Sequence, residues 1–332
     1  MAGLGRGADL KALVTGARGF GGAWLAKVLL ERGVEVVSFD RAGERPSGLA
    51  LLEVEGEVSD ETGDLRDADR IRAVLEQHRP DAVFHLAAQA IVGPALSSPV
   101  PTFQANIEGT WNLMEAARRS SVARVVVASS DKAYGPHEVL PYTEDAPLQP
   151  IYPYDVSKAA ADLIARSYWH TYALPVAVTR FANIYGGGDL NFSRLVPETV
   201  SAVIDGRRPV IRSDGSPERD FLFVDDAVAA YLAIEHAVGA GGPAAGEALN
   251  AGGGEPHSVA SVLEMIGEVA GTGIEPDIQG LGNPEGEIDR QYVDSAKLRR
   301  MTGWSPQVGL RDGIVRTLNW YREHPEVRPP PK

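Results

Sequence analysis

The fold is decided by residues 10–40, which read LKALVTGARGFGGAWLAKVLLERGVEVVSFD. The apolar run at 10–15 predicts a short strand, a glycine-rich turn follows, and the pattern of residues 21–32 is typical of a helix. Residues 34–39 predict a second, buried strand that ends at Asp40. A strand, a turn, a helix and a second strand in this order form a β-α-β unit, which implies a parallel sheet.

The turn carries Gly16, Gly19 and Gly22 in GxxGxxG spacing. Glycines so placed permit a tight turn, close approach of the backbone to a pyrophosphate, and close packing of helix on strand. The pyrophosphate would lie at the helix N-terminus, where free N–H groups and the helix dipole favour an anion. With Asp40 at the end of the second strand, this context predicts a dinucleotide site, although a plain tight turn can use the same glycines.

Asp40 also bears on which dinucleotide binds. Its carboxylate can accept hydrogen bonds from both ribose hydroxyls and would repel a 2′-phosphate, so NAD is predicted rather than NADP. Arg18 and Arg41 leave NADP open, because either guanidinium could pair with a 2′-phosphate. Asp64 and Leu65 follow a presumed third strand; they could meet the adenine, or Asp64 could be the N-cap of the next helix.

Strand and helix patterns continue to alternate through the first half of the chain. The further predicted strands are 81–86, 124–129 and 175–181, and the further predicted helices are 67–78, 99–119 and 155–172. This alternation predicts an α/β fold with a doubly wound parallel sheet, covered by helices on both faces. Beyond Tyr185 the pattern changes: we expect helices near 258–270 and 310–323, and a loop at 239–254.

Composition excludes several classes of function. The 332 residues include 45 acidic and 32 basic side chains, a formal net charge of −13, and no cysteine. Absence of cysteine excludes a disulfide scaffold, a thiolate zinc site, an iron–sulfur cluster and a cysteine nucleophile, and no metal site is predicted. The acidic balance disfavours nucleic-acid binding. No apolar run is long enough for a membrane span or a signal peptide, so we expect a cytoplasmic protein.

Two short motifs suggest catalysis. In YDVSK at 154–158, Lys158 lies one helical turn from Tyr154, and its ammonium should lower the Tyr154 pKa from about 10 toward neutrality, making a general base. Ser130, Asp131 and Lys132 directly follow a predicted strand, at the sheet edge where doubly wound folds bind ligands. An exposed helix pair and a solvated loop pair remain the alternatives.

Five motifs in this order resemble the extended short-chain dehydrogenase/reductase family of nucleotide-sugar epimerases and dehydratases. They are TGxxGxxG, HLAA at 85–88, SSDKAYG at 129–135, YxxxK, and RFANIYGGGD at 180–189. The resemblance covers nearly the whole chain after Asp9, and its ordered motifs are far more specific together than singly.

The resemblance implies a domain organisation. It places an NAD-binding Rossmann domain at 10–185 and a smaller C-terminal α/β domain, which binds the nucleotide sugar, mainly at 186–325. A segment near 220–250 should return to the first domain, and 1–9 and 326–332 should be flexible tails. The helices at 99–119 and 155–172 should pack between subunits in a homodimer.

Within the family, the residues after the catalytic serine or threonine separate the reactions. The Ser130-Asp131-Lys132 run resembles the branch of 4,6-dehydratases that act on CDP-glucose, as do GGGD at 186–189 and HLAAQ, which ends at Gln89. In contrast, RDF at 219–221 and VDD at 224–226 resemble epimerases and dTDP-sugar enzymes. A nucleotide-sugar epimerase is therefore the alternative, and an NAD-sensing or scaffold protein on a degraded enzyme fold is a more distant one.

The resemblance also implies roles. Ser130 would hydrogen-bond O4 of the sugar, Tyr154 would remove the O4 proton, Lys132 would take the C5 proton, and Asp131 would protonate the departing C6 hydroxyl, with Lys158 supporting Tyr154. These roles need a neutral carboxyl and a neutral amine, which burial must favour. In an epimerase Asp131 and Lys132 would only shape the pocket.

The remaining contacts are carried over residue by residue. Cofactor contacts are implied for Gly16, Gly19, Phe20, Gly22, Asp40, Asp64, Leu65, Ala87, Tyr154 and Lys158. Substrate contacts are implied for Gln89, Asn183, Arg194, Leu195, Val196, Arg219 and Arg290. Of these, Arg219 and Arg290 should meet the diphosphate because a guanidinium can bind phosphate oxygens in pairs, unless they are ordinary surface arginines.

Overall fold

Strands and helices alternate along most of the chain in a computed structural model that describes residues 10–43, 46–239, 241–280 and 288–329. The strands are β1 (Lys11–Thr15), β2 (Glu35–Asp40), β3 (Ser59–Thr62), β4 (Ala82–His85), β5 (Arg124–Ala128), β6 (Val176–Phe181), β7 (Asn183–Tyr185), β8 (Val210–Ile211), β9 (Glu218–Phe223), β10 (Ala248–Ala251), β11 (Pro256–Ser258), β12 (Asp277–Ile278) and β13 (Arg290–Gln291). The helices are α1 (Phe20–Glu31), α2 (Gly48–Leu51), α3 (Ala68–His78), α4 (Val92–Ser97), α5 (Pro99–Phe103), α6 (Gly109–Arg119), α7 (Pro153–Tyr172), α8 (Leu195–Ile204), α9 (Val224–Val238), α10 (Val259–Ala270), α11 (Ala296–Thr302) and α12 (Leu310–Glu323).

The large sheet is parallel, with the strand order β10-β6-β5-β4-β1-β2-β3. The order reverses between β1 and β4, which makes this the topological switch point of a doubly wound fold. The predicted α/β class and Rossmann sheet are therefore confirmed. Ligands of such folds bind beyond the carboxyl ends of the strands, so the fold itself points to the edge where β1, β2, β4 and β5 end.

Both faces of the large sheet are covered by helices. In β1, Ala12 and Val14 pack into one core with α1 and α9, whereas Leu13 packs into a second core with α3 and α6. This alternation follows from the two-residue period of a strand and explains why Ala12, Leu13 and Val14 are all apolar.

A smaller domain is built around β9. This strand pairs with β7 and β13 in parallel and with β11 antiparallel, and β8 pairs separately with β12. The helices α8, α10 and α12 pack around an apolar core of their own, to which Val200, Ile266 and Leu318 belong.

The predicted boundaries need several corrections. Residues 104–108 of the helix predicted at 99–119 are π-helical. The helices α8 and α9 were not predicted; α9 is buried around most of its circumference and so shows no apolar stripe. The loop predicted at 239–254 contains β10, whose small residues (ALNA) carry little strand signal.

The domain division also differs from the simple prediction. Besides α9 and β10, Leu298 of α11 and the nearby Trp304 pack in the core of the large sheet, although both lie within 186–325. Within residues 326–329, predicted to be part of a flexible tail, Arg328 forms an ion pair with Asp205 and Val327 packs against the core of the smaller domain. Residues 1–9 and 330–332 lie outside the described residues.

Candidate active site

A cleft of about 1150 Å³ lies along the carboxyl edge of the large sheet and is walled on its far side by the smaller domain. Most of the predicted site residues line it. These are Gly16, Gly19, Phe20, Gly22, Asp40, Asp64, Leu65, Ala87, Gln89, Ser130, Asp131, Lys132, Tyr154, Asn183, Arg194, Leu195, Val196 and Arg219.

The glycine turn has the geometry that a dinucleotide needs. Gly16 has a φ of +76°, and a Cβ at Gly22 would lie 2.1 Å from the carbonyl oxygen of Gly16, so glycine is required at both positions. Helix α1 starts after Gly19 with no side-chain cap, which leaves its first N–H groups available at the wall of the cleft. The residues present therefore fit a bound pyrophosphate.

Asp40 is placed at the end of β2 by two backbone hydrogen bonds. The N–H of Arg18 donates to its Oδ2 at 3.1 Å, and the N–H of Arg41 donates to its Oδ1 at 2.9 Å. Burial raises the pKa of Asp40 although these two donors oppose the shift.

Asp64 lies on the cleft wall, where its carboxylate is paired with Arg66 at 2.7 Å. The N-cap of the following helix is Asp67, which accepts the N–H of Arg70 at 2.9 Å. The N-cap interpretation of Asp64 is therefore wrong.

Tyr154 and Lys158 are not an exposed pair. Helix α7 starts with Pro153 at its first turn, which suits the fixed φ of proline, and it buries Tyr154 and Lys158 to 9% and 6% exposure. Lys158 follows Tyr154 by one turn of α7, and its Nζ donates to the carbonyl oxygen of Ala128 at 2.8 Å. Burial lowers the pKa of Lys158 to about 8.

The expected fall in the Tyr154 pKa is wrong for the ligand-free protein. Burial raises the pKa of Tyr154 to about 12, and Arg194 and a hydrogen bond with Ser130 oppose the rise only in part. The prediction counted the ammonium one turn away but not the removal of water, which disfavours a phenolate in a closed pocket. Tyr154 therefore rests as a neutral phenol.

The run Ser130-Asp131-Lys132 is not a solvated loop. Residues 131–134 form a short 3₁₀ helix capped by Ser130, whose Oγ accepts the N–H of Lys132 at 3.2 Å and donates to Asp131 Oδ1 at 3.1 Å. Asp131 is only 3% exposed, and its Oδ2 is buried without a hydrogen bond from any described residue. Burial raises the pKa of Asp131 to about 6 although Lys132 opposes the shift, and Lys132 Nζ is itself buried.

A buried ion pair that sequence reasoning missed holds the segment at 131–134 and helix α7 together. Arg180 of β6 donates to Asp162 of α7 at 2.7 and 3.1 Å and to the hydroxyl of Tyr134 at 3.0 Å. Both charged side chains are nearly inaccessible to water. Asp162 lies two turns beyond Tyr154 on α7, and this spacing was the available signal.

Asn106 forms a second missed connection, within the π-helical segment. Its Oδ1 accepts the N–H of Gln89 at 2.7 Å, and its Nδ2 donates to Ser157 Oγ at 2.8 Å. Ser157 Oγ in turn donates to the carbonyl oxygen of Tyr154 at 2.7 Å. The π-helical turn thus links the loop after β4 to the first turn of α7.

The smaller domain contributes cations to the cleft. Arg194 precedes α8 and is held by Asp189 at 3.0 Å, and the hydroxyl of Tyr321 donates to the backbone oxygen of Asp189. Arg219 of β9 donates to the backbone oxygens of Glu218 and Asp289, both at 2.9 Å. Two guanidinium groups therefore face the half of the cleft that lies away from the glycine turn.

The placement of Arg290 does not match its predicted contact. Arg290 pairs in register with Glu218 in the parallel β13–β9 ladder, so its side chain shares a face with Glu218 and not with Arg219. Its guanidinium donates to Glu218 at 2.8 Å, is half exposed, and does not line the cleft. Arg290 thus occupies a surface position here, and its contact with the diphosphate stays a prediction.

The fold and the cleft define a dinucleotide-dependent enzyme with a buried tyrosine–lysine pair. The comparisons agree: a family model described as GDP-mannose 4,6 dehydratase matches residues 13–317. A dTDP-glucose 4,6-dehydratase of Streptomyces griseus is 35% identical, with 94% of each chain covered. A UDP-glucose 4-epimerase of Mycolicibacterium smegmatis is 34% identical, covering 94% of this chain and 99% of the relative.

A solved structure is similar over nearly the whole chain. It is a dTDP-glucose 4,6-dehydratase of Bacillus anthracis in complex with NAD, with a TM-score of 0.85, 26% identity, and coverage of 96% of this chain and 98% of that one. The protein belongs to the nucleotide-sugar epimerase and dehydratase family of extended short-chain dehydrogenases/reductases. The similar structure from Bacillus anthracis holds NAD, which agrees with the cofactor predicted from Asp40. No helix in the described part of the chain is long and apolar enough to cross a membrane, and the same residues hold no cluster of three or more potential metal ligands among histidines and acids.

Proposed function

We propose that the protein is a nucleotide-sugar 4,6-dehydratase, which converts an NDP-hexose to an NDP-4-keto-6-deoxyhexose. The reaction comprises oxidation at C4, elimination of water across C5 and C6, and return of the hydride to C6 with a proton to C5. The observation that carries the proposal is Asp131. A carboxyl group that is buried in the cleft, with a pKa raised to about 6 and next to Lys132, can hold and deliver a proton near neutral pH. An epimerase has no step that uses such an acid.

The proposed roles begin at O4 of the sugar. Ser130 hydrogen-bonds O4, and Tyr154 removes its proton. NAD, when bound, supplies a hydride acceptor and a positively charged ring. Because burial raises the pKa of Tyr154, the tyrosine becomes a base only when positive charge offsets burial, and Arg194 already acts in that direction.

The elimination then needs one base and one acid. The C4 ketone acidifies the C5–H bond, Lys132 takes the C5 proton as a neutral amine, and the C6 hydroxyl leaves as water with the proton of Asp131. A neutral carboxyl beside a neutral amine holds as many protons as the ion pair, so one internal proton transfer prepares both groups. The burial of Asp131, which raises the pKa of its carboxyl, favours the neutral carboxyl of this pair.

CDP-glucose is our proposed substrate, although the relatives reported above act on dTDP- and UDP-sugars. It is supported by the GGGD segment at 186–189, where Asp189 holds Arg194 at the cleft wall. Incubation with CDP-, dTDP-, UDP- and GDP-glucose, with NMR of the products, identifies the nucleotide. We expect the C6 methyl doublet to form fastest from CDP-glucose. A faster reaction of another NDP-glucose would make that sugar the substrate in place of CDP-glucose.

We also propose a homodimer. Helices α5, α6 and α7 expose Val100, Trp111 and Leu163 to 61%, 45% and 57%, an unusual exposure for large apolar side chains. Light scattering of the purified protein should give the mass of two chains, and Leu163→Glu should shift it toward one.

Two variants test the reaction. Asp131→Asn keeps the size of the side chain but has no proton to give, and Lys132→Met keeps the stem without the amine. Both should block loss of the C6 hydroxyl yet allow oxidation at C4, so reduced NAD should accumulate in a single turnover. Lys132→Met should also suppress exchange of the C5 proton with deuterated solvent, whereas Asp131→Asn should retain this exchange.

The alternative is an NAD-dependent nucleotide-sugar 4-epimerase, favoured by the 34% identity to a UDP-glucose 4-epimerase over almost all of that relative. If both variants turn over like the parent, Asp131 and Lys132 take no part in the reaction. A product with an inverted C4 centre and an intact C6 hydroxyl would then establish the epimerase.

A further inference from the structure

Arg18, in the glycine turn, is held at its two ends by acids from neighbouring strands. Its backbone N–H donates to Asp40 at 3.1 Å, and its guanidinium forms an ion pair and a hydrogen bond with Asp60 of β3. The other oxygen of Asp60 accepts the hydroxyl of Ser38 at 2.5 Å. Asp60 is therefore fixed from β2 as well as by Arg18.

The strand register explains why Asp60 can reach Arg18. In the parallel β2–β3 ladder Ser38 pairs with Asp60, and Asp40 pairs with Thr62. Side chains alternate between the faces of a sheet with a period of two, so Ser38, Asp40 and Asp60 point to the same face. The guanidinium of Arg18 thus lies over Asp60 and beside the carboxylate that we place at the adenosine ribose.

The pairing of Arg18 bears on the choice between the two nicotinamide dinucleotides. A free guanidinium beside the ribose could bind a 2′-phosphate through two parallel hydrogen bonds. In this protein the guanidinium of Arg18 donates a hydrogen bond to Asp60, which occupies it and raises its pKa. Ser38 and Arg18 together lower the pKa of Asp60 against the opposing effect of its burial. A 2′-phosphate would have to displace a carboxylate that is already bound.

We infer that Asp60 is a specificity-determining residue for the cofactor: it engages Arg18 and so denies that guanidinium to a 2′-phosphate, leaving Asp40 to face the free ribose hydroxyls of NAD. The inference rests on the proposed position of the adenosine ribose at Asp40, and it is independent of the reaction proposed for Asp131 and Lys132.

The test is made by calorimetric binding to cofactor-free protein, with NAD, NADP, ADP and adenosine 2′,5′-bisphosphate as ligands. Asp60→Asn keeps an acceptor for Ser38 but removes the charge that holds Arg18. The affinity for NADP relative to NAD, and for the bisphosphate relative to ADP, should rise about tenfold, as expected for one new guanidinium–phosphate pair. In Asp60→Asn with Arg18→Met the gain should disappear.

A matched control lies one residue along the same strand. Glu61 pairs with Arg70 and with His78 and does not line the cleft, so Glu61→Gln makes the same change of charge without freeing Arg18. Its affinity ratios should equal those of the parent. Arg18→Met alone should also leave the ratio unchanged, because in the parent Arg18 does not serve the phosphate.

Three results would overturn the inference: an Asp60→Asn ratio within about twofold of the parent, a gain that persists in the double variant, or a loss of NADP affinity in Arg18→Met alone. The second would mean that Asp60 simply repels the phosphate. Asp40→Asn checks the underlying placement, since unchanged NAD affinity in that variant would remove the ribose from Asp40 without touching the dehydratase proposal.

Discussion

Asp60, near one end of the cleft, and Asp131, at the other end, have opposite electrostatic surroundings. At the cofactor end, comprising the glycine turn and the ends of β2 and β3, Asp60 is held by Arg18 and Ser38, and its pKa is lowered. At the other end, comprising the end of β5 and the start of α7 and called the catalytic end after the roles proposed for it, Asp131 is buried with one oxygen unbonded within the described structure, and its pKa is raised to about 6.

The difference reflects two kinds of task. Binding a dinucleotide needs donors and acceptors that are already oriented, so charges paired in advance are suitable. Moving a proton needs a group whose charged and neutral forms are close in free energy near the working pH, and burial without a full set of partners achieves this. Asp131 therefore keeps a buried oxygen without a hydrogen bond from any described residue, whereas at the cofactor end Asp60 is paired with Arg18 and the buried Asp40 accepts two backbone N–H groups.

The largest expected effect comes from the ion pair that supports the catalytic end. Arg180→Gln leaves the buried carboxylate of Asp162 with only the more distant Arg166, whose Nη1 lies 3.8 Å away, and the free energy of unfolding should fall by up to about 3–5 kcal/mol. Urea denaturation measures the change. Arg311→Gln, which breaks an exposed pair with Glu268, should change it by less than about 1 kcal/mol. Equal losses in the two variants would show that the Asp162–Arg180 pair is not a support.

Next comes the proposed base. Tyr154→Phe removes only the phenolic oxygen and should lower turnover by at least about 10²-fold, with the KM for the nucleotide sugar largely kept. Tyr172→Phe, at an exposed position of the same helix, is the control and should react like the parent. Turnover in Tyr154→Phe within a few-fold of the parent would remove the tyrosine from the chemistry.

The smallest expected effects are changes in the free energy of unfolding with pH, which should have opposite signs for Asp131→Asn and Asp60→Asn. The folded-state pKa of Asp131, about 6, lies above the unfolded value of about 3.9, so stability is lost as pH rises through this window. Asp131→Asn cannot ionise and should be more stable than the parent at pH 8, by of order 1–3 kcal/mol, with the gain shrinking toward pH 4.

Asp60→Asn gives the opposite sign in the same experiment. Because the pKa of Asp60 is lowered, its charged form stabilises the fold above the unfolded pKa, and this contribution is lost as pH falls. The variant should therefore be slightly less stable than the parent at pH 8 and should approach it in acid. If both variants shift stability in the same direction, the contrast between the two ends is wrong.

Much of the large sheet could be predicted because its signals are local. Buried strands such as β1 and β2 are short apolar runs, and the glycines of the turn are dictated by contacts as close as that between Gly22 and Gly16. The smaller domain was harder to predict: β7, β11 and β13 are two or three residues long, and their pairing with β9 depends on segments far apart in the chain.

The site shows the same limit. Motif spacing predicted that Tyr154, Ser130 and Asp131 share one site, and all three line the cleft. It could not give the protonation of Tyr154, which depends on how completely water is excluded, nor the side of β13 on which Arg290 lies, which depends on register. Asp162 and Asn106 were missed because their partners, Arg180 and Ser157, become neighbours only in the folded chain.

The path of the chain limits the exchange of whole domains between such enzymes. After β7, β8 and β9 the polypeptide returns to the large sheet with α9 and β10, leaves it for β11, and returns again with α11 before ending in α12. Residues 186–329 include β10, α9 and α11, which belong to the large sheet and its cover. A graft of this segment onto another dinucleotide domain would therefore also replace an edge strand and two covering helices of the recipient. A new nucleotide preference is more readily reached by substitutions at the cleft than by exchange of a module.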